Sequence, residues 1–231
     1  FDIRDKKKLE KFIAKAKPSI IFHLAAQPLI IESYLKPHKT IDVNVGGTLN
    51  ILEATKNFNF IRSIVLITSD KCYENVGKLT RYKENDELGG VDPYSASKSS
   101  SELIIRAYRE SFFKGKRHCG VSSARAGNVI GGGDWSANRL IPDGIRSLLS
   151  GKSIYLRNPK FNRPWQHVLE PLRGYLILAK RQFNDPKKYS DAWNFGTKNN
   201  SIKSVKEIID YMILFLSLIH ISEPTRPLSI S

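Results

Sequence analysis

Two continuous apolar runs, Ile20-Ile21-Phe22 and Ile64-Val65-Leu66-Ile67, each stop abruptly at polar residues, and a stretch of helical spacing lies between them. A run that is apolar at every position, not at alternate ones, is what a strand buried on both faces carries. Between the runs, Ile41, Val45, Leu49 and Leu52 recur at three- and four-residue intervals, which predicts a helix over about 38–56. Strand, helix, strand in that order means parallel strands joined by a helical crossover. The pattern then repeats. Asp92-Pro93 supplies an N-cap and a first helical residue for a helix reaching about Lys114, and Val121 to Ala126 reads as a further strand. The fold class that follows is α/β, a doubly wound parallel sheet covered by helices.

After Gly131-Gly132-Gly133 the segments shorten, prolines recur at 142, 159, 164 and 171, and Trp135, Trp165 and Trp193 enter. The chain is therefore expected to divide into a sheet domain over 1–133 and a small substrate-binding region over 134–213, interleaved with the last strands. The helical pattern Val205, Ile208, Ile209, Met212 then gives way to LSLIHISEPTRPLSIS. Residues 214–231 are read as a non-native tail outside the fold, a natural tail being the alternative. The apolar stretch Tyr211–Ile219 is too short to read as a membrane span.

Charge and cysteine content narrow the function classes. The 37 Lys and Arg against 22 Asp and Glu give a net charge of +15. The basic residues are dispersed, with no long block and no nucleic-acid-binding module, so neither nucleic acid nor a membrane is an expected partner. A non-catalytic basic protein that binds anions is the rival from another class. Cys72 and Cys119 show neither CxxC nor metal-ligand spacing, which predicts no metal and a reducing, cytoplasmic setting.

Chemistry concentrates at two places. Tyr94 and Lys98 stand four residues apart in Tyr94-Ser95-Ala96-Ser97-Lys98, hence on one face of the predicted helix. A lysine ammonium near a phenol favours the phenolate, and a phenol so tuned can take a proton from an alcohol. The strand before that helix ends in Thr68-Ser69-Asp70-Lys71, at the sheet edge where ligands bind in parallel sheets.

This combination resembles the extended short-chain dehydrogenase/reductase family. His23-Leu24-Ala25-Ala26 is similar to the strand end that passes under the cofactor, Asn44 with Gly47-Thr48 to the following helix, and Asp2-Ile3-Arg4-Asp5 to the loop that meets the adenine. Arg125 to Asn128 resembles the strand end that reaches the nucleotide sugar. TSDKCYEN, DPYSASK, ARAGNVIGGGDW, LIPD, RPWQHVLEPLRGY and AWNFG narrow the resemblance, over about residues 1–213, to the family's 4,6-dehydratases of nucleotide sugars, with CDP-glucose as the implied substrate.

The resemblance implies a Rossmann-like sheet, NAD as cofactor, and loss of water to form a 4-keto-6-deoxy sugar for surface polysaccharide. It implies NAD contacts from Asp2, Ile3, Leu24, Ala25, Ala26, Thr68, Tyr94 and Lys98. It makes Tyr94 the group that takes the 4-hydroxyl proton, Ser69 the hydroxyl that polarises O4, and Asp70 the acid for the departing 6-hydroxyl. That last role requires a carboxyl pKa well above about 3.9. Lys71 stands where related dehydratases carry a carboxylate. It serves as the C5 base only if its own pKa is depressed, or it acts through a water.

Asn128, Arg163 and Asn194 are the nucleotide-sugar candidates, Arg163 because a diphosphate suits an always-charged fork. Asn194, beside Gly196, has a structural turn as its alternative, and Trp135 and Trp165 have the core as theirs. Other dehydratases and 4-epimerases of nucleotide sugars are the sister readings, and Asp70-Lys71 argues against an epimerase. Gly131-Gly132-Gly133 is not a dinucleotide fingerprint. The glycine-rich turn is expected before Phe1, and the chain as given is expected to be inactive. A homodimer is implied, through the helices near 38–56 and 93–114.

Overall fold

The computed structural model describes residues 1–75, 81–115, 118–197 and 202–219. In chain order the elements begin with α1 (Lys6–Ala16), β1 (Ile20–His23), α2 (Ile30–Leu35), α3 (Pro37–Ile41), α4 (Gly47–Thr55), β2 (Ser63–Ile67), α5 (Pro93–Tyr108) and β3 (Gly120–Ala126). They continue with β4 (Val129–Ile130), α6 (Leu140–Leu149), β5 (Asn162–Pro164), β6 (Gln166–His167), α7 (Leu169–Asn184), α8 (Pro186–Tyr189), β7 (Ala192–Phe195), β8 (Ile202–Ser204) and α9 (Val205–Ile219). Two compact units result: Phe1–Gly127 with Pro171–Phe195, and Asn128–Glu170 with the segment from Gly196 onward. The first division falls at Gly127, ahead of the 1–133 span read from sequence, and the chain returns to the first unit to add β7.

The first unit holds one parallel sheet in the order β1-β2-β3-β7. β2 is central, paired from Ser63 to Leu66 with β1 and from Ser63 to Ile67 with β3. Successive side chains of β2 point to opposite faces. Ile64 and Leu66 join Leu9, Ile13, Ile51, Leu52, Ile61 and Ile105 on one face, while Val65 joins Ala124, Tyr175, Leu178 and Ala179 on the other. Each fully buried aliphatic side chain contributes about 1.5–3 kcal/mol, so helices on both faces are what make an all-apolar strand stable.

The helix expected over 38–56 is present but is not uniform. α3 and α4 flank a π-helical turn, Asp42–Gly46, and α2 precedes them. A π turn carries one extra residue and re-aims the side chains around it. Gly47 follows because a Cβ there would come within 2.8 Å of the Ile3 side chain. The α5 start is the one predicted: Asp92 accepts from the Ser95 backbone N–H at 2.9 Å, and Pro93 is the first helical residue.

In the second unit β4 pairs parallel with β6, and β5 pairs antiparallel with β8. Gly144 of α6 lets α9 approach, with Met212 and Ile209 against it. α9 runs on through Leu214 to Ile219, so the start of the segment read as outside the fold is helical. Residues 211–216, Tyr-Met-Ile-Leu-Phe-Leu, contain no helix breaker, and the next proline is Pro224. Residues 220–231 of the expected tail lie outside the described residues. No helix among the described residues is long and apolar enough to cross a membrane.

Candidate functional site

The candidate site is built where β2 ends. Pairing with β3 extends to Thr68, whose backbone N–H donates to the Ala124 carbonyl at 2.9 Å. The chain then enters a short 3₁₀ turn, Asp70–Cys72, capped by Ser69, whose Oγ accepts from the Lys71 N–H at 3.2 Å. Ser69 Oγ also donates to Asp70 Oδ1 at 3.1 Å. The Asp70 carboxylate lies directly over Gly127, where any Cβ would collide with it.

α5 packs against this turn. Tyr94 and Lys98 are both buried on the helix, and the Lys98 Nζ lies 5.9 Å from the Tyr94 ring centroid. Lys98 also donates to the Ile67 carbonyl at 3.4 Å, which pins its ammonium to the end of β2. Burial pushes Lys98 down to about 8, opposed by the charge of Glu102. The lysine remains mostly a cation at neutral pH while holding its proton less tightly than a solvated one. The structure thus brings together Ser69, Asp70, Lys71, Tyr94 and Lys98 at the carboxyl edge of the sheet.

On the neighbouring strand, β1 ends in buried His23. Its Nε2 lies 3.4 Å from Thr48 Oγ1, and burial with the nearby Lys98 charge pushes it down to about 4. It is a neutral structural residue at physiological pH. Leu24 beyond it is 54% exposed, Ala25 is exposed and Ala26 half-buried, so this edge is open. Asp2 pairs with Arg4 at 2.7 Å, which holds its carboxyl well below the usual range, and Ile3 packs toward Gly47.

Asn44, inside the π turn, ties this edge to α5. Its Oδ1 accepts from Gln27 N at 2.7 Å, and its Nδ2 donates to Gln27 O at 3.1 Å and Ser97 Oγ at 2.9 Å. Asn44→Leu leaves the buried Gln27 groups unpaired. A loss of about 2–3 kcal/mol is expected, read as a lower urea midpoint at unchanged slope.

Thr68 sends its hydroxyl inward, donating to Glu102 Oε1 at 2.5 Å, so Ser69 alone places a hydroxyl at the strand end. The Cys72 thiol is fully buried and pushed up to about 12 by that burial. Asn194 has both ends of its amide in use, accepting from Tyr73 OH at 2.7 Å and donating to Tyr82 O at 3.0 Å. It ties β7 to the segment after the 3₁₀ turn.

In the second unit the structure joins two predicted residues. Asn128 adopts the left-handed conformation, φ 50°, and its Oδ1 accepts from Arg163 Nη1 at 3.4 Å. Trp165 is fixed by its indole N–H to Lys203 O at 3.0 Å, whereas Trp135 is 59% exposed. Sequence reasoning missed Glu102, a buried carboxylate on α5. Its spacing of four from Lys98 and eight from Tyr94 places it on their face of the helix, a signal present in the sequence.

The family model described as GDP-mannose 4,6 dehydratase matches residues 1–211. A CDP-glucose 4,6-dehydratase of Salmonella typhimurium is 49% identical over 216 residues, covering 92% of this chain and 60% of that protein. A dTDP-D-glucose 4,6-dehydratase of Dictyostelium discoideum is 25% identical over 225 residues, covering 92% and 49%. The chain therefore spans less than two thirds of the length of these curated relatives. Among solved structures, a dTDP-glucose 4,6-dehydratase of Bacillus anthracis in complex with NAD matches with a TM-score of 0.77 at 25% identity, covering 94% of this chain and 63% of that one. A Thermus thermophilus UDP-glucose 4-epimerase in complex with NAD gives 0.79 at 22% identity, over 93% and 67%, a likeness of fold.

Proposed function

The chain belongs to the GDP-mannose 4,6-dehydratase family, and from that premise we propose that the whole protein converts CDP-glucose to CDP-4-keto-6-deoxyglucose and water, supplying deoxysugar for surface polysaccharide. The reading rests on one arrangement: a hydrogen-bonded Ser69–Asp70 pair at the end of β2, packed against the helix that carries Tyr94 and Lys98. A 4-epimerase needs the hydroxyl and the phenol but no elimination acid beside them. The choice of a CDP sugar is supported by 49% identity to the CDP-glucose relative against 25% to a dTDP-glucose one.

Leu24, Ala25 and Ala26 at the open carboxyl edge, with Tyr94 and Lys98 and with Asp2 and Ile3, would hold NAD. When bound it supplies a two-electron acceptor and donor that is regenerated in each turnover. Tyr94, its phenolate favoured by the Lys98 ammonium, takes the 4-hydroxyl proton as C4 is oxidised, and Ser69 Oγ hydrogen-bonds O4. The C4 ketone acidifies the C5–H. Asp70 protonates the departing 6-hydroxyl as the C5 proton leaves, so water is lost and a C5–C6 double bond forms. A water beside Lys71 takes the C5 proton. Reduction at C6 with protonation at C5 completes the product. In the second unit Asn128 and Arg163 hold the nucleotide sugar, Arg163 against its diphosphate.

A homodimer through α3, α4 and α5 is part of this reading, supported by Ile41 at 41% and Leu103 at 46% exposure. So is a cytoplasmic setting, in keeping with two free thiols. The test is the whole protein with NAD and CDP-glucose, followed by the absorbance of the keto sugar in alkali. Product from a dTDP or GDP sugar but none from CDP-glucose sinks the substrate assignment.

A further inference from the structure

Glu102 takes no part in the chemistry above, yet it is 3% exposed and hydrogen-bonded through both carboxylate oxygens. Oε1 accepts from Thr68 Oγ1 at 2.5 Å, and Oε2 accepts from Ser123 Oγ and from Arg125 Nη2, both at 2.7 Å. Arg125, itself buried, carries the connection on. Its Nη1 donates to Tyr73 OH at 2.7 Å and to the Glu84 carbonyl at 2.9 Å. Tyr73 OH donates in turn to Asn194, and the Tyr73 ring stacks on Tyr82 with centroids 4.8 Å apart.

Stability does not explain this arrangement. Desolvating a carboxylate and a guanidinium offsets their attraction, and well-packed apolar residues of similar volume often serve a fold as well or better. What an apolar replacement cannot supply is direction. Thr68 is the residue before Ser69-Asp70, and Glu102 lies one turn beyond Lys98 on the Tyr94 helix. One carboxylate is bonded to both halves of the candidate site.

We propose that Glu102 is a positioning residue: through Thr68 it sets the separation between the Ser69–Asp70 turn and the Tyr94–Lys98 helix, and through Arg125 it clamps the Tyr73–Glu84 side of the site. The kinetic half of this rests on the dehydratase reading, and the electrostatic half does not. Lys98 faces Glu102 on its own helix, Cys72 in the 3₁₀ turn, His23 at the end of β1, and the Tyr94 ring. Of these, Glu102 is the carboxylate.

The test compares Glu102→Gln and Glu102→Asp with the parent in the whole protein, using NAD and CDP-glucose. Lysines carry a ¹³Cε label, and the Lys98 resonance is identified by its loss in Lys98→Met. Glu102→Gln keeps the shape and loses the charge. The Lys98 midpoint is expected to move downward, with kcat lower by about 10²-fold and KM little changed, the scale of a displacement near 1 Å. Glu102→Asp keeps the charge on a shorter arm. It is expected to leave the Lys98 midpoint in place and still lose kcat, and it stands as the second variant should the amide unfold. A purely structural role lowers the urea midpoint but moves neither quantity. An unshifted Lys98 with parental kcat in folded Glu102→Gln, or parental kcat in Glu102→Asp, overturns the proposal. A parent that makes no keto sugar overturns the dehydratase reading instead, and the Lys98 titration then decides the Glu102 role alone.

Discussion

Tyr94→Phe is expected to lower turnover by about 10²–10⁴-fold, the range spanned by removal of a positioned acid–base group, with nucleotide-sugar affinity and fold intact. The ring stays, so the buried contacts at the start of α5 are kept, and only the hydroxyl to which the proposal assigns the substrate proton is lost. A kcat loss at unchanged KM is the signature, and parental turnover in the variant refutes the assignment. The companion change, Lys98→Met, removes the cation pinned beneath the strand end. It also has a stability signature. Lys98 is lowered from 10.5 to about 8 by burial. Between those values the unfolded chain holds the proton and the folded one has released it, so folding stability rises with pH across that window. Below about pH 8 both states are protonated and the full burial penalty applies. The difference in urea midpoint between pH 7 and pH 10 is therefore expected to shrink in Lys98→Met. An unchanged difference would contradict it.

Gly127→Ala is expected to separate oxidation from elimination. The backbone at 127 is not left-handed, so alanine meets no conformational penalty there. Its methyl group instead occupies space held by the Asp70 carboxylate, which must swing away. Tyr94 and Lys98 are untouched, and Ser69 loses only its hydrogen bond to Asp70. C4 oxidation should survive while loss of the 6-hydroxyl slows by about 10²-fold, the cost of displacing a catalytic group by about 1 Å. Asp70→Asn should do the same by removing the proton without moving the side chain. Mass spectrometry of the quenched sugar nucleotide distinguishes a 4-keto sugar that keeps its 6-hydroxyl from the dehydrated product. Dehydration at the parental rate in Asp70→Asn would remove the acid role from this residue.

Much of the fold was readable because the relevant signals are local. Ile64–Ile67 is apolar at every position, which only a strand covered on both faces tolerates, and helices do cover it. Asp92-Pro93 starts α5 because a carboxylate accepts from an N–H three residues on, a contact needing no other part of the chain. Tyr94 and Lys98 share a helix face for the same reason. The expectation that failed in detail, a uniform helix over 38–56, failed at Asp42–Gly46, where the π turn is set by what Asn44 must reach on Gln27 and Ser97.

By itself, then, the sequence determined the elements, their parallel order and the four-residue step that pairs phenol with ammonium, because each depends on chain period and neighbouring residues. Only tertiary structure decided which side chains face the site. Thr68 and Ser69 are adjacent hydroxyls, and β2–β3 pairing with α5 above them turns one to Glu102 and leaves the other beside Asp70. Asn194 was claimed by Tyr73, and Asn128 met Arg163 thirty-five positions away. Buried polar groups must find partners, and those partners are chosen by packing between segments far apart in the chain, which no local pattern encodes.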